Sequence, residues 1–215
     1  PRPLDRDEPQ RVAEAVVRMR LRHVVATAVT RDDLEDGGAA HFAAVIHAVR
    51  ETSPEVKIEV LTSDFAGDLA AVDTVIDAGP DVFNHNLETI PRLYDEVRAG
   101  GDYERSLSVL RRVRESGLGI PSKSGLMLGL GETVEEIEQV MRDLRDAGVE
   151  ILTLGQYLRP SPDHLPVAEF VEPSVFGNLA RTAYKLGFTA VASAPFVRSS
   201  YHASELADDA SRAAK

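Results

Sequence analysis

Short segments of strand character alternate with amphipathic helical stretches along the whole chain. The unit recurs about five times at spacings near 30 residues. Strand–helix–strand units of this length join parallel neighbours through right-handed crossovers, so the repeat predicts an α/β protein with a parallel sheet. Strands are expected at 23–29, 56–61 with alternating polarity, 82–86, 126–130, 150–154 and 190–193. Helices are expected over 8–20, from the acidic loop to about 52, and over 66–77 and 103–115 with Gly117 just past the end. Thr133-Val-Glu-Glu136 opens another as a capping box stopped near Gly148, and one more reaches about Leu186. The expected fold is a partial (β/α)6 barrel of TIM type with parallel strands and its first strand missing. A doubly wound open sheet shares the same local grammar. No low-complexity tract or linker divides the chain, so residues 1–215 read as one domain, with 195–215 as a carboxyl-terminal segment.

Composition narrows the function classes. A net charge of −11 disfavours broad nucleic-acid or anionic-membrane surfaces, which need clustered cations. No apolar run approaches the roughly 20 residues that span a bilayer, and Pro-Arg-Pro-Leu-Asp at the start is not a signal peptide, so a cytoplasmic location is expected. The absence of cysteine excludes disulfides and thiolate ligands from these 215 residues, and the six histidines show no metal-ligand spacing. Because the chain opens on Pro1 and on a helix, an amino-terminal truncation is expected.

Four constellations stand where ligands bind in parallel α/β proteins, at or just past the carboxyl ends of strands. Asn84-His85-Asn86 with Glu88 gathers polar groups; alternation sends Asn84, Asn86 and Glu88 to one side and His85 to the other if the strand extends that far. They either hold a ligand or satisfy a strand-to-helix turn. Gly125-Leu-Met127-Leu-Gly129-Leu-Gly-Glu132, preceded by Lys123, removes side chains where a planar ring could lie, or simply makes a tight turn; it is not a phosphate loop. Asp32-Asp33-Leu-Glu35-Asp36-Gly37-Gly38 is either a cation-binding loop or a solvated helix start. Arg198-Ser199-Ser200-Tyr201-His202 is hard to explain by core packing, yet no nucleophile elbow surrounds its serines.

Together these segments resemble the lipoyl synthases, a family of radical S-adenosylmethionine (SAM) enzymes. The resemblance runs through Glu8-Pro-Gln-Arg-Val-Ala-Glu14, Thr30 to Ala39, Gly79 to Thr89, Lys123 to Glu132, Gly155-Gln-Tyr-Leu158 and Arg198-Ser-Ser-Tyr-His-Ala203, nearly the whole chain and in family order. It implies insertion of two sulfur atoms at C6 and C8 of an octanoyl group amide-linked to a carrier-domain lysine, the step that completes protein lipoylation. Unactivated C–H bonds resist side-chain acids and bases, so the family uses a reduced 4Fe–4S cluster to cleave S-adenosylmethionine and an auxiliary 4Fe–4S cluster as sulfur source. The implied partners are octanoylated lipoyl domains of 2-oxoacid dehydrogenase E2 subunits and the glycine cleavage H protein, with ferredoxin or flavodoxin as electron donor. No nucleic acid or membrane is implied.

Carried over by motif, Asp36, Gly37 and Gly38 would meet the amino end of the methionine moiety. Asn84, Asn86 and Glu88 would contact methionine and ribose, and Gly125, Met127, Gly129 and Glu132 would frame the adenine, with Lys123 adding a polar contact. Ser200, or else Ser199, would be an oxygen ligand of the auxiliary cluster, supported by Arg198; a hard, labile ligand suits an iron that must be released. This sequence departs from the family in lacking both of its cysteine sets, which should precede residues 1–7, so the chain alone is expected to hold neither cluster and to be inactive. Another sulfur-inserting radical SAM enzyme and a cluster-free, non-catalytic barrel are the competing readings.

Overall fold

The computed structural model describes residues 3–213. Its six strands are β1 (His23–Thr27), β2 (Lys57–Leu61), β3 (Val82–Asn84), β4 (Ser122–Leu128), β5 (Ile151–Gln156) and β6 (Ala190–Ser193). They form one sheet in the order β1-β2-β3-β4-β5-β6, with every neighbouring pair parallel. A doubly wound sheet reverses its strand order at a switch point. This sheet never does, so the partial barrel is the architecture. Among the described residues β1 pairs with β2 alone.

Around the sheet lie α1 (Glu8–Met19), α2 (Ala39–Thr52), α3 (Leu69–Asp77), α4 (Tyr94–Val97), α5 (Tyr103–Glu115), α6 (Val134–Asp146), α7 (Pro173–Leu186) and α8 (Ala203–Ala213). Local chemistry sets their ends. Pro9 occupies the first turn of α1, where its missing N–H costs nothing. Asp102 caps α5 by accepting from the Arg105 N–H at 2.7 Å, and Thr133 and Glu136 complete the expected capping box of α6. No helix among the described residues is long and apolar enough to cross a membrane.

Strand alternation divides the two faces of the sheet. Outward side chains of β1 to β3, among them Ile58, Val60 and Phe83, form one core with α1, α2 and α3. Leu126, Leu128, Leu152 and Leu154 form a second with α6 and α7. Inward at the amino ends of the strands, Val82, Ile151 and Ala190 pack against Leu206, Ala207 and Ala210 of α8, which also touches β1. That helix closes the bottom of the barrel and was not expected from the sequence.

Several expected boundaries move, each for a local reason. The strand expected to end at Asn86 stops at Asn84, because after the His85 N–H bond to the Lys123 carbonyl the chain turns off the ladder, and Leu87 N–H goes to the Ser124 hydroxyl. The next starts at Ser122 rather than Leu126, its polar first residues being buried, Lys123 toward the barrel interior and Ser122 and Ser124 on the opposite face. The helix expected from Ala66 begins at Leu69: Phe65 and Ala66 both have positive φ and form a tight turn, after which Asp68 caps α3.

Candidate active site at the barrel mouth

The mouth of the barrel holds a cavity of about 260 Å³ at the carboxyl ends of the strands. Leu61, Asn86, Glu88, Gly125, Met127 and Thr153 form its walls and floor, and Arg198 and Ser199 close one side.

A break in β3 places the two central polar residues. His85 N–H still donates to the Lys123 carbonyl at 3.0 Å; beyond it the chain leaves the ladder, and Leu87 N–H donates to the Ser124 hydroxyl at 3.2 Å. It then rejoins β4 at one residue: Glu88 N–H donates to the Gly125 carbonyl at 3.0 Å and Met127 N–H to the Glu88 carbonyl at 2.8 Å. Glu88 takes φ of 68° there, an uncommon conformation for a residue with a side chain, and one associated with functional sites. The Asn86 amide donates to Glu88 Oε1 at 3.1 Å, while its own Oδ1 is buried without a donor. Burial pushes the Glu88 carboxyl above its ordinary range, opposed by the Asn86 amide and the Arg98 charge.

His85 does turn away, as alternation suggests. Its Nδ1 lies 3.0 Å from the Thr62 carbonyl, so this nitrogen carries the proton of a neutral ring. Burial, reinforced by Arg98, pushes its pKa down to about 4. Arg98 also ties the bulge, donating to the Asn86 carbonyl at 3.0 Å.

Close approach fixes glycine at two positions. A Cβ on Gly125 would stand 2.5 Å from Thr153 Oγ1 and 3.1 Å from Asn86 Oδ1, so a side chain there would fill the cavity floor. One on Gly155 would collide with the Val197 carbonyl, and this is where the 195–202 segment crosses β5, fastened by Gln156 N–H to the Pro195 carbonyl at 3.1 Å. Arg198 folds back on the carbonyls of Val197 (2.6 Å) and Pro195 (3.5 Å). Ser199 faces the cavity, whereas Ser200 is exposed on the rim.

The remaining residues expected at the site do not line this cavity. Lys123 is wholly buried below the floor, where its ammonium pairs with Glu59 Oε1 at 2.8 Å, and Asn84 donates to the same oxygen at 3.1 Å. Burial would raise the Glu59 carboxyl, but His23, Lys123 and Asn84 together hold it below the ordinary range. Glu132 is turned back on its own loop, accepting from Gly129 N–H at 2.5 Å and Leu130 N–H at 2.9 Å. Asp36 caps the start of α2, accepting from Gly38 and Ala40 at 2.9 and 2.8 Å. Burial works to raise its carboxyl, yet these backbone donors keep it lowered. Gly37 and Gly38 line a different cavity of about 800 Å³ between α1, β1 and α2. Size does not select the site: the smaller cavity holds the buried Asn86 acceptor and the desolvated Glu88.

Sequence reasoning gave no role to Glu59, Leu61, Thr153 or Gln156. Strand alternation alone would have placed Thr153 beside Gly125. Gln156 needs tertiary context, since it accepts from the Val171 N–H at 2.9 Å and donates to the Glu169 carbonyl at 3.0 Å across the long loop after β5. Among the described residues no three His, Cys, Asp or Glu side chains cluster to hold a metal ion.

Residues 1–144 match the model of the radical SAM superfamily. The lipoyl synthase of Methylococcus capsulatus is 57% identical over 96% of this chain and 65% of its own length. That of Caldanaerobacter subterraneus subsp. tengcongensis is 57% identical over 94% and 71%, and that of Haemophilus influenzae 56% over 94% and 64%. The chain thus spans about two thirds of the length of these curated relatives. Methylornithine synthase shares the fold with a TM-score of 0.61 at 13% identity, covering 91% of this chain and 67% of that one. Streptococcus suis SuiB gives a TM-score of 0.67 at 11% identity over 89% and 44%.

Proposed function

The chain belongs to the lipoyl synthase family of the radical SAM superfamily, and on that premise we propose that it is the barrel portion of an enzyme that inserts two sulfur atoms into a protein-bound octanoyl group. The single observation in the structure that supports this is the buried, donorless Asn86 Oδ1 set beside a glycine floor. That arrangement fits an adenosyl group: Gly125 and Thr153 leave space for a flat ring, Met127 offers an apolar edge, and Asn86 awaits a hydroxyl or ammonium donor. When bound, S-adenosylmethionine supplies a carbon radical able to take hydrogen from an unactivated C–H bond.

The chain's own residues bind and orient. Glu88, with its raised carboxyl, is placed to share a proton with a ribose hydroxyl, and Arg98 keeps Asn86 and Glu88 in place by gripping the bulge. Asp36 shapes the loop that carries Gly37 and Gly38 instead of touching the ligand. Glu132 and Lys123 act on the loop and the strand beneath the ligand, respectively.

Residues 1–215 do not fit an iron–sulfur cluster by themselves, having no cysteine and, among the described residues, no metal-ligating group of three. The thiolates for a radical cluster and an auxiliary cluster are therefore assigned to chain outside these residues, with Ser200 on the rim as the oxygen ligand to the second and Ser199 as the alternative. The substrates are octanoylated carrier domains in the cytoplasm, with electrons supplied by a ferredoxin or flavodoxin.

Anaerobic reconstitution of the cysteine-bearing protein, followed by incubation with S-adenosylmethionine, reductant and an octanoylated carrier, tests the reading. Mass spectrometry should show gain of two sulfurs on the carrier, with a further loss of two hydrogens once the dithiol is oxidised to the disulfide. A protein that stays colourless on reconstitution would overturn it in favour of a cluster-free barrel. Ser200→Ala should spare adenosylmethionine cleavage while suppressing sulfur insertion.

A further inference from the structure

One layer below the cavity, the inner faces of β1 to β4 meet at a single carboxylate. Glu59 Oε1 receives both the Lys123 ammonium at 2.8 Å and the Asn84 amide at 3.1 Å, and Oε2 faces His23 at 3.6 Å. Lys123 and Glu59 are 0% and 1% exposed, so water does not share this contact.

Inward residues recur every second position, about 6–7 Å apart along a strand. Two positions beyond Glu59, Asn84 and Lys123 stand Leu61, Asn86 and Gly125, and all three line the cavity. The layer thus sits beneath the residues expected to hold the ligand, which lie on β2 and β4 and just past the end of β3. It also lies beside a short strand: β3 is three residues long and pairs with β4 at Phe83↔Ser122 and Asn84↔Lys123, with His85 N–H donating to the Lys123 carbonyl at 3.0 Å before the chain leaves the ladder. A side-chain tie at Asn84 and Lys123 reinforces, from inside the barrel, a register that few backbone hydrogen bonds hold.

Stability alone does not account for such a pair, because apolar residues of similar volume commonly replace a buried ion pair without loss. Resting on the reading that the cavity takes S-adenosylmethionine, we propose that the buried Glu59–Lys123 pair, with Asn84, is a positioning layer: it sets the spacing of β2, β3 and β4 and so the placement of Asn86 and Gly125 against the ligand. Glu59 is its hub, a positioning residue that does not touch the ligand.

The test uses the cluster-loaded protein of the proposed function, with S-adenosylhomocysteine as the calorimetric probe and thermal melting in parallel. The double variant Glu59→Leu/Lys123→Met removes both charges and keeps their volume. It is expected to melt close to the parent, with a small loss from the Asn84 amide left without its acceptor, yet to bind the probe about tenfold more weakly, as removal of a supporting contact does around other sites. Equal melting with parental affinity overturns the proposal, since the pair would then be only a tolerated part of the core. Should the double variant fail to fold, Asn84→Ser keeps the ion pair and cuts only the amide tie; weakened affinity at unchanged melting supports the proposal, and unchanged affinity overturns it. A loaded parent that does not bind the probe overturns the cavity reading itself and this inference with it.

Discussion

The outer face of the sheet carries Ile58, Val60, Phe83, Leu126, Leu152 and Leu154 against helices, whereas the middle of its inner face carries Glu59, Asn84, Lys123 and Thr153. Both faces are buried, so the contrast is one of chemistry and not of exposure. On the outer face energy depends on volume, and many hydrophobic residues of the right size would serve. On the inner face each polar group depends on one named partner, and loss of that partner strands the other in a medium that cannot solvate it.

The largest effect should therefore come from breaking the inner pair on one side. Lys123→Met leaves Glu59 buried without its cation and should cost about 3–5 kcal/mol in chemical denaturation. Adding Glu59→Leu should return most of that loss, a strongly non-additive cycle. Leu152→Ala on the outer face, at roughly 2–5 kcal/mol, opens a cavity that no second change on the inner face can mend, and it should leave binding at the mouth unaltered. Additive behaviour of the inner pair would erase the contrast between the faces.

A smaller effect sharpens the same contrast through pH. His85 is buried as a neutral ring, its pKa lowered from 6.5 to about 4 by desolvation and by Arg98. The folded state thus binds this proton less readily than the unfolded chain, so stability is full above about pH 6.5 and drains as pH falls toward 4. At 1.36 kcal/mol per unit the shift from 6.5 to about 4 corresponds to about 3 kcal/mol, an order-of-magnitude figure. His85→Gln keeps a donor for the Thr62 carbonyl and should flatten the stability profile between pH 7 and pH 4. Parallel profiles for parent and variant would show that the ring is not what titrates. Glu59 works with the same sign over a lower range: its depressed carboxyl contributes stability above the ordinary carboxylate value of 4.5 that is lost on further acidification. Glu88 works oppositely, since its raised carboxyl makes ionisation costly and Glu88→Gln should gain on the parent as pH rises.

The two faces also differ in how far they could be read from the sequence. All six strands and the longer helices follow from outward residues such as Ile58, Val60, Leu152 and Leu154, whose spacing reports burial against helices. Inside the barrel the same logic misleads. Glu59 sits in an alternating strand, where polarity ordinarily means solvent, yet here the alternate face is a closed interior. Ser122, Lys123 and Ser124 fall outside the strand expected at 126–130, although all three are buried in β4, Lys123 on the inner face and the two serines on the outer. Of the motif residues, Asn86, Glu88, Gly125 and Met127 line the cavity at the mouth, but proximity in sequence could not say that Lys123 and Asn84 lie a layer below, or that Glu132 caps its own loop. α8 escaped notice because its buried face rests on one leucine and small alanines, too weak a stripe to stand out among charged residues.

The outer layer should also yield the smallest and cleanest effect, at a feature that was fully legible. Thr133 accepts from the Glu136 N–H at 3.2 Å while Glu136 accepts from the Thr133 N–H at 2.8 Å, closing the amino end of α6 far from any buried charge. Thr133→Ala removes one half of this exchange and should cost about 1 kcal/mol, readable as a small drop in the denaturation midpoint with no change in slope. Combined with Lys123→Met it should simply add, because the cap and the inner pair share no partner. A coupling of more than about 0.5 kcal/mol between them would mean that the register of β4 reaches through its following turn into α6, and that the two faces are less separable than their chemistry indicates.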